Sequence, residues 1–222
     1  AALGLILCSA VFGLSLGVDW IALSFVQRAA DIEEVKAIVQ GRAGIVAKLE
    51  KPAAIHSLDA ILDVTDAVMV ARGDLGVEIG DAELPGLQKK IIREAVAREK
   101  VVITATQMLQ SMVDSPIPTR AEVLDVANAV IDGTDAVMLS AETSVGAYPV
   151  RVVETVARIC LGAERYPVTE RSATQFASHF NRSDETIAMA AMYVARNAQI
   201  SAAVALTDSG HTALLLSRLL HG

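Results

Sequence analysis

Short apolar runs alternate along the chain with stretches whose apolar residues recur at helical spacing. The runs are 18–24 (VDWIALS), 44–49 (GIVAKL), 66–71 (DAVMVA), 101–105 (VVITA) and 135–140 (DAVMLS). Their length and nearly continuous apolar character predict strands buried on both faces. Between them, 31–40 places Ile32, Val35, Ile38 and Val39 on one helical face. The stretch 86–99 does the same with Leu87, Ile91, Ala95 and Val96, and sets Gln88, Lys89, Arg93 and Glu94 opposite. The stretch 119–131 opens on TRAE, in which Thr119 can cap the helix and Glu122 can reach back to it. Gly133 suits the stop, and Pro116 and Pro118 keep the preceding loop out of a helix.

This alternation predicts parallel strands covered by helices. An internal echo supports it: TDAVMV at 65–70 returns as TDAVML at 134–139. One further strand lies between the copies, so the echo spans two βα units, as an alternating barrel would produce. It occurs once and does not imply a solenoid. A polar connector is expected at 164–183. Beyond it the pattern predicts a helix over 184–197, with Ile187, Ala191 and Val194 on one face, a strand over 202–206 (AAVAL) and a helix from near Gly210. These open a second α/β unit, which divides the chain into domains at 1–165 and 166–222.

With 53% hydrophobic residues in 222, the chain can bury a sizeable core, and at 4% aromatic content Ala, Val, Ile and Leu must fill it. A net charge of −7 without a basic run argues against a nucleic-acid partner. Cys8 and Cys160 lie far apart with no histidine nearby, which excludes a disulfide framework and zinc spacing. Both read as small buried hydrophobes in a reducing compartment. His56, His179, His211 and His221 are scattered and read as ordinary histidines. Residues 1–18 carry no charge and are long enough to cross a bilayer. The apolar character runs on through Trp20 without a turn, so these residues are expected to be buried segments of a globular core. With no initiating Met and no basic n-region, a signal peptide is a poor reading, and the sequence is expected to begin inside a longer protein.

In parallel α/β folds, ligands bind at the carboxyl ends of the strands. Those ends carry Ser24; Lys48 and Glu50; Arg72 and Asp74; Thr104, Thr106 and Gln107; and Ser140, Glu142 and Thr143. The strand bodies before them are nearly free of charge. Lys48 and Glu50 are two apart and share a face. They form either a salt bridge of little consequence or, at a barrel mouth, a cation beside a metal ligand. Asp74 would add a second carboxylate, a set that suits Mg²⁺ or Mn²⁺. Gly73 lets the backbone approach a ligand, and the amides around it can hold an anion if a helical turn follows. Arg-Gly-Asp also spells a cell-adhesion motif, but that use needs an exposed extracellular loop, which nothing here indicates.

The stretches ALSFV (22–26), KLEKP (48–52), MVARGDLGVEI (69–79), ATQMLQSM (105–112), PTRAEVLDVANAVIDGTDAVMLSAET (118–143) and G-x-YP (146–149) resemble the pyruvate kinase family in order and spacing. The resemblance is dense over 12–165 and weaker over 184–218. It implies a (β/α)8 TIM barrel of which only about strands four to eight are present, followed by the start of a C-terminal α/β domain. It further implies phosphoryl transfer from phosphoenolpyruvate to ADP, giving pyruvate and ATP in glycolysis. Carried over, Lys48 is similar to the lysine that stabilises the phosphoryl group in flight. Glu50 and Asp74 are similar to the ligands of Mg²⁺ or Mn²⁺. Ala71, Arg72, Gly73 and Asp74 fall in the segment that holds the substrate carboxylate, largely through backbone amides, which leaves Arg72 open as a structural ion-pair partner. Thr106 resembles the hydroxyl near that carboxylate and the enolate carbon. Ser140 and Glu142 resemble members of the proton-delivery network, and Ser24 a serine near the transferred phosphate.

Three departures stand out: Ala141 where the family usually has glycine, Pro52 after the KLEK segment, and KLEK for the more usual lysine–isoleucine–glutamate–asparagine. The first three strands, which carry the family's K⁺ ligands, and the lid domain have no match here. The resemblance implies a cytoplasmic homo-oligomer, a tetramer, with no nucleic-acid or membrane partner. Little or no turnover is expected of 222 residues alone. Two alternatives stand beside this reading. One is a metal-dependent aldolase or lyase acting on pyruvate enolates, which would share the carboxylates but not need Lys48. The other is an inactive fragment that associates through apolar strand edges.

Overall fold

Five strands form one sheet in chain order, and every neighbouring pair is parallel. They are β1 (Trp20–Leu23), β2 (Gly44–Leu49), β3 (Ala67–Ala71), β4 (Val101–Ala105) and β5 (Ala136–Met138). The computed structural model describes residues 10–165, 182–198 and 200–219. Most of the polar connector expected at 164–183 lies outside the described residues. Helices α1 (Ala29–Val39), α2 (Pro52–His56), α3 (Leu58–Val64), α4 (Arg72–Ile79), α5 (Leu84–Ala97), α6 (Arg120–Asp132), α7 (Ala141–Ser144) and α8 (Pro149–Glu164) follow the strands in turn. Unbroken parallel order with helical crossovers is the arrangement of consecutive units in a (β/α) barrel.

The sheet separates two apolar clusters. Leu23, Ile45, Ala47, Leu49, Val68, Val70 and Val102 face the helices, packing with Ile32 and Val35 of α1, Ile61 and Leu62 of α3, and Ile91 and Ile92 of α5. Val46, Ala67, Met69 and Ala105 form the other cluster, joined by Val101, Ile103 and Met138. The period-two alternation of a strand therefore carries Lys48, two residues past Val46, onto that second face.

The repeated TDAV segment has a mechanical cause. Thr65 Oγ1 donates to the carbonyls of Ile45 (3.1 Å) and Ala67 (2.9 Å), while Asp66 Oδ2 accepts from the Ile45 amide at 2.8 Å. Thr134 Oγ1 bonds the carbonyls of Val102 and Ala136, both at 3.1 Å, while Asp135 Oδ2 accepts from the Val102 amide at 2.8 Å. Each copy clasps the start of its own strand to the start of the preceding one. It thereby satisfies backbone groups at the amino ends of the strands, where the ladder has not begun.

Helix α6 begins as the sequence predicts. Thr119 Oγ1 accepts from the Glu122 amide at 3.3 Å, Glu122 Oε2 accepts from the Thr119 amide at 2.8 Å, and Gly133 closes the helix at φ 100°. Gly44 has a packing role: a Cβ there would lie 2.5 Å from the Trp20 ring.

Three expectations are corrected. Residues 202–206 form no strand, because no neighbouring strand among the described residues pairs with them and a lone strand leaves its backbone groups unpaired. In the helical stretch 10–15, Ala10 is buried but Val11 and Phe12 are exposed, as is Leu16 beyond it, so 10–18 is not uniformly core. Gln88, placed on the solvent face, is buried. Helix α5 has α6 as a second neighbour, across which Lys89 pairs with Asp132 at 2.5 Å, so its polar side does not all face water. No described helix is long and apolar enough to cross a membrane.

The described chain divides into two compact units, up to Ala163 and from Glu164. The second contains α9 (Ser183–Asn197) and α10 (His211–Leu219), which pack together around Ala188, Met192 and Leu215. Arg182 donates to His211 Nε2 at 2.7 Å and pairs with Asp184.

Candidate active site at the carboxyl ends of the strands

Lys48 Nζ donates to Ser24 Oγ at 2.8 Å and forms an ion pair with Glu50 Oε1. The first contact joins β1 to β2, which pair through Leu23 and Ala47, the residues just before Ser24 and Lys48. Glu50 is 2% exposed and accepts a second hydrogen bond from the Phe25 amide at 2.9 Å. Both of its oxygens therefore have donors, as a buried carboxylate requires. Phe25 makes this contact from a left-handed backbone, φ 61°, a conformation that bulky residues rarely adopt.

Strand β3 runs straight into α4, so Arg72, Gly73 and Asp74 form its first turn. Arg72 is 6% exposed and its guanidinium is fully engaged. Nη1 lies 2.7 Å from both oxygens of Asp125 on α6, Nε is 3.3 Å from the Ala105 carbonyl, and Nη2 is 2.5 Å from the Thr106 carbonyl. The Gly73 amide donates to Thr106 Oγ1 at 2.8 Å, and that hydroxyl donates to the Ala105 carbonyl at 2.7 Å. Thr106 and Gln107 are both left-handed, with φ 69° and 55°. Arg72 and Gly73 thus hold a strained turn at the end of β4. Asp74 lies on the same helix turn and is exposed.

Lys51 follows Glu50. Its ammonium is 2.6 Å from Glu78 Oε1 and 5.9 Å from the centroid of the Phe25 ring. The hydrogen bond it donates to Glu78 raises its pKa, opposed by partial loss of hydration and reinforced by the charges of Glu78, Glu50 and Asp74. Asp74 and Glu78 stand one turn apart on α4, so both lie on the side that Lys51 meets.

Past β5, Ser140 precedes α7. Its amide donates to Glu142 Oε2 at 2.9 Å, and its carbonyl accepts from Thr143 Oγ1 at 3.1 Å. Glu142 is fully buried, and its Oε1 has no hydrogen-bond partner among the described residues. Gly146 allows the chain to turn back closely here, since a Cβ would lie 2.4 Å from the Glu142 carbonyl oxygen. Thr104, also noted as a strand-end hydroxyl, is instead buried and donates to Thr134 Oγ1 at 2.9 Å.

Lys48, Glu50 and Ser24 therefore meet one another, as do Arg72, Gly73 and Thr106, and Ser140 and Glu142. Asp125, Lys51, Glu78 and Phe25 were missed as contributors. Asp125 falls within the helix expected at 119–131 and Glu78 in a stretch for which no helix was expected, and only the packing of α4 and α6 brings them to the strand ends. Lys51, a departure from the usual asparagine, was the one available signal.

Fold and site define a (β/α)-barrel protein with its charged and hydroxyl side chains gathered at the carboxyl ends of the strands. Residues 9–153 match the pyruvate kinase barrel domain and residues 185–222 its alpha/beta domain. The chain is 49% identical to pyruvate kinase II of Salmonella typhimurium over 214 residues, 93% of this chain and 45% of that protein. It is 52% identical to a pyruvate kinase of Agrobacterium vitis (93% and 43%) and 47% identical to that of Buchnera aphidicola subsp. Baizongia pistaciae (96% and 46%). The chain belongs to the pyruvate kinase family and spans less than half the length of these curated relatives.

Proposed function

We propose that this chain supplies the later βα units of a pyruvate kinase barrel, with Lys48 stabilising the phosphoryl group that passes from phosphoenolpyruvate to ADP. The observation that carries the reading is the seat of the Lys48 ammonium, between Ser24 Oγ (2.8 Å) and the buried Glu50 carboxylate at the ends of two adjacent strands. Phosphoryl transfer is catalysed mainly by positioning and charge neutralisation. The substrate P–O bond breaks as the bond to the terminal ADP oxygen forms. Lys48 offsets charge on the equatorial oxygens and is held in place by a charge that cannot drift.

The donor set fits a divalent cation. Glu50 and Asp74 are carboxylates, one buried and one exposed, and hard ions such as Mg²⁺ or Mn²⁺ take oxygen ligands while keeping water or substrate oxygens. Such an ion, when bound, offsets charge on the phosphoryl group and on the enolate oxygen. The substrate carboxylate is assigned to the backbone of the first turn of α4 rather than to the engaged Arg72 side chain, the Gly73 amide exchanging its Thr106 Oγ1 acceptor for the carboxylate when substrate binds. The enolate must gain a proton on carbon to become pyruvate, and Thr106, Ser140 and Glu142 are assigned to its delivery. The unpartnered Glu142 Oε1 suits a relay, because a buried carboxylate oxygen needs a proton or a water. The same reading carries K⁺, held by residues outside this chain, a cytoplasmic glycolytic setting and assembly as a tetramer.

The test is ADP-dependent pyruvate and ATP formation from phosphoenolpyruvate with Mg²⁺, in the full reading frame that contains these residues. Lys48→Met should lower kcat by roughly 10³-fold. ATP formation unchanged by that substitution removes the assignment, and cleavage of a pyruvate enolate without ATP formation favours a lyase.

A further inference from the structure

Lys51 has no part in the transfer described above, yet its ammonium is held from several sides. Glu78 Oε1 lies at 2.6 Å, and the Phe25 ring centroid lies at 5.9 Å, within cation–π range. Phe25 links this seat to Glu50. Its left-handed backbone (φ 61°) sends the amide to Glu50 Oε2 at 2.9 Å while its ring faces Lys51. The strain at Phe25 is thus held by contacts to both neighbours, the carboxylate and the ammonium. Asp74 lies one turn before Glu78 on α4, and Glu50 directly precedes Lys51 in the chain.

We propose that Lys51 is a resident counter-ion of the Glu50–Asp74 pair, weakening the hold of that pair on a free divalent cation. This rests on the reading of Glu50 and Asp74 as divalent ligands. Lys48 pairs with Glu50 and Lys51 with Glu78, so together with Asp74, one turn from Glu78, these five side chains sum to one negative charge. Loss of Lys51 would leave one more negative charge, and the attraction for a doubly charged ion would grow. A side chain that lies about one third exposed does not exclude the ion sterically; it opposes it through the field. The consequence is a site that fills best when an anionic co-ligand arrives with the metal. The departure from asparagine at position 51 is then a specificity determinant for how metal and substrate load.

Mn²⁺ alone is the probe. Free Mn²⁺ is followed by electron paramagnetic resonance during titration of the full reading frame, as wild type, Lys51→Met, Lys51→Arg and Glu50→Gln. Lys51→Met should bind Mn²⁺ roughly five- to tenfold more tightly at low salt, with the gap narrowing as salt screens the charge. Lys51→Arg, which keeps the charge, should bind as wild type does, and urea midpoints check that each variant is folded. Glu50-dependent binding that Lys51→Met leaves unchanged or weakens overturns the role of Lys51 alone. Binding that is absent, or indifferent to Glu50→Gln in both backgrounds, overturns the metal reading and this inference with it.

Discussion

The backbone amide of Gly73 donates to Thr106 Oγ1 at 2.8 Å, fastening the turn after β3 to the turn after β4. A backbone donor from one βα unit and a side-chain acceptor from the next thereby set the spacing of two strand ends. Thr106→Val should leave the Gly73 amide without its acceptor and destabilise the fold by about 1–3 kcal/mol. Thr106→Ser, which keeps the hydroxyl, should recover most of that loss. Urea unfolding of the two variants checks the pair; equal midpoints would show that the hydroxyl does not hold the turn.

Arg72 and Asp125 form a second fastening, from the end of β3 to α6, with Nη1 at 2.7 Å from each carboxylate oxygen. The guanidinium is buried, so removal of Asp125 leaves it short of a counter-charge. Asp125→Ala should destabilise by about 3 kcal/mol, near the low end for breaking a buried pair because Asp125 itself is partly exposed. Arg72→Lys should keep little of the fastening, since an ammonium cannot reach the Thr106 carbonyl and Asp125 in the same geometry. Denaturant midpoints of the two single variants decide this.

Glu122 gives the α6 end a dependence on pH. Burial opposes its ionisation, but hydrogen bonds from Ser111 and Thr119 outweigh burial and hold its pKa below the ordinary value of 4.5. A carboxyl with a depressed folded-state pKa adds stability above its unfolded value, and loses it as pH falls through the folded one. Stability should therefore drop below about pH 4.5, and Glu122→Gln should flatten that part of the acid limb. Thermal midpoints measured from pH 6 down to about pH 3 test the difference.

The two TDAV clasps should act independently. Thr65 and Thr134 share no hydrogen-bond partner, and β4 lies between their strands, which separates them by roughly 10 Å. Thr65→Val and Thr134→Val should each cost about 1–2 kcal/mol, and the double variant should match their sum within about 0.5 kcal/mol. A double variant well outside that range in urea unfolding would mean the clasps are coupled.

The alternation of apolar runs and amphipathic stretches determined the five strands, their parallel order and the helices expected at 31–40, 86–99 and 119–131, because burial on both faces of a parallel sheet leaves a direct pattern in the residues; the short helices over 52–64, 72–79 and 141–144 were not legible in it. The capping box at Thr119 and Glu122 was equally legible, since both partners lie within one turn. The polar ends at Ser24, Lys48, Glu50, Thr106 and Glu142 followed from where each strand stops. Tertiary structure alone decided the partners drawn from distant segments: Asp125 for Arg72, Thr106 Oγ1 for the Gly73 amide, Phe25 and Glu78 around Lys51. A hydrophobic pattern specifies which face of an element turns inward. It carries no record of which polar group on a neighbouring element will stand opposite, because that depends on the register and crossing of packed pieces far apart in the chain.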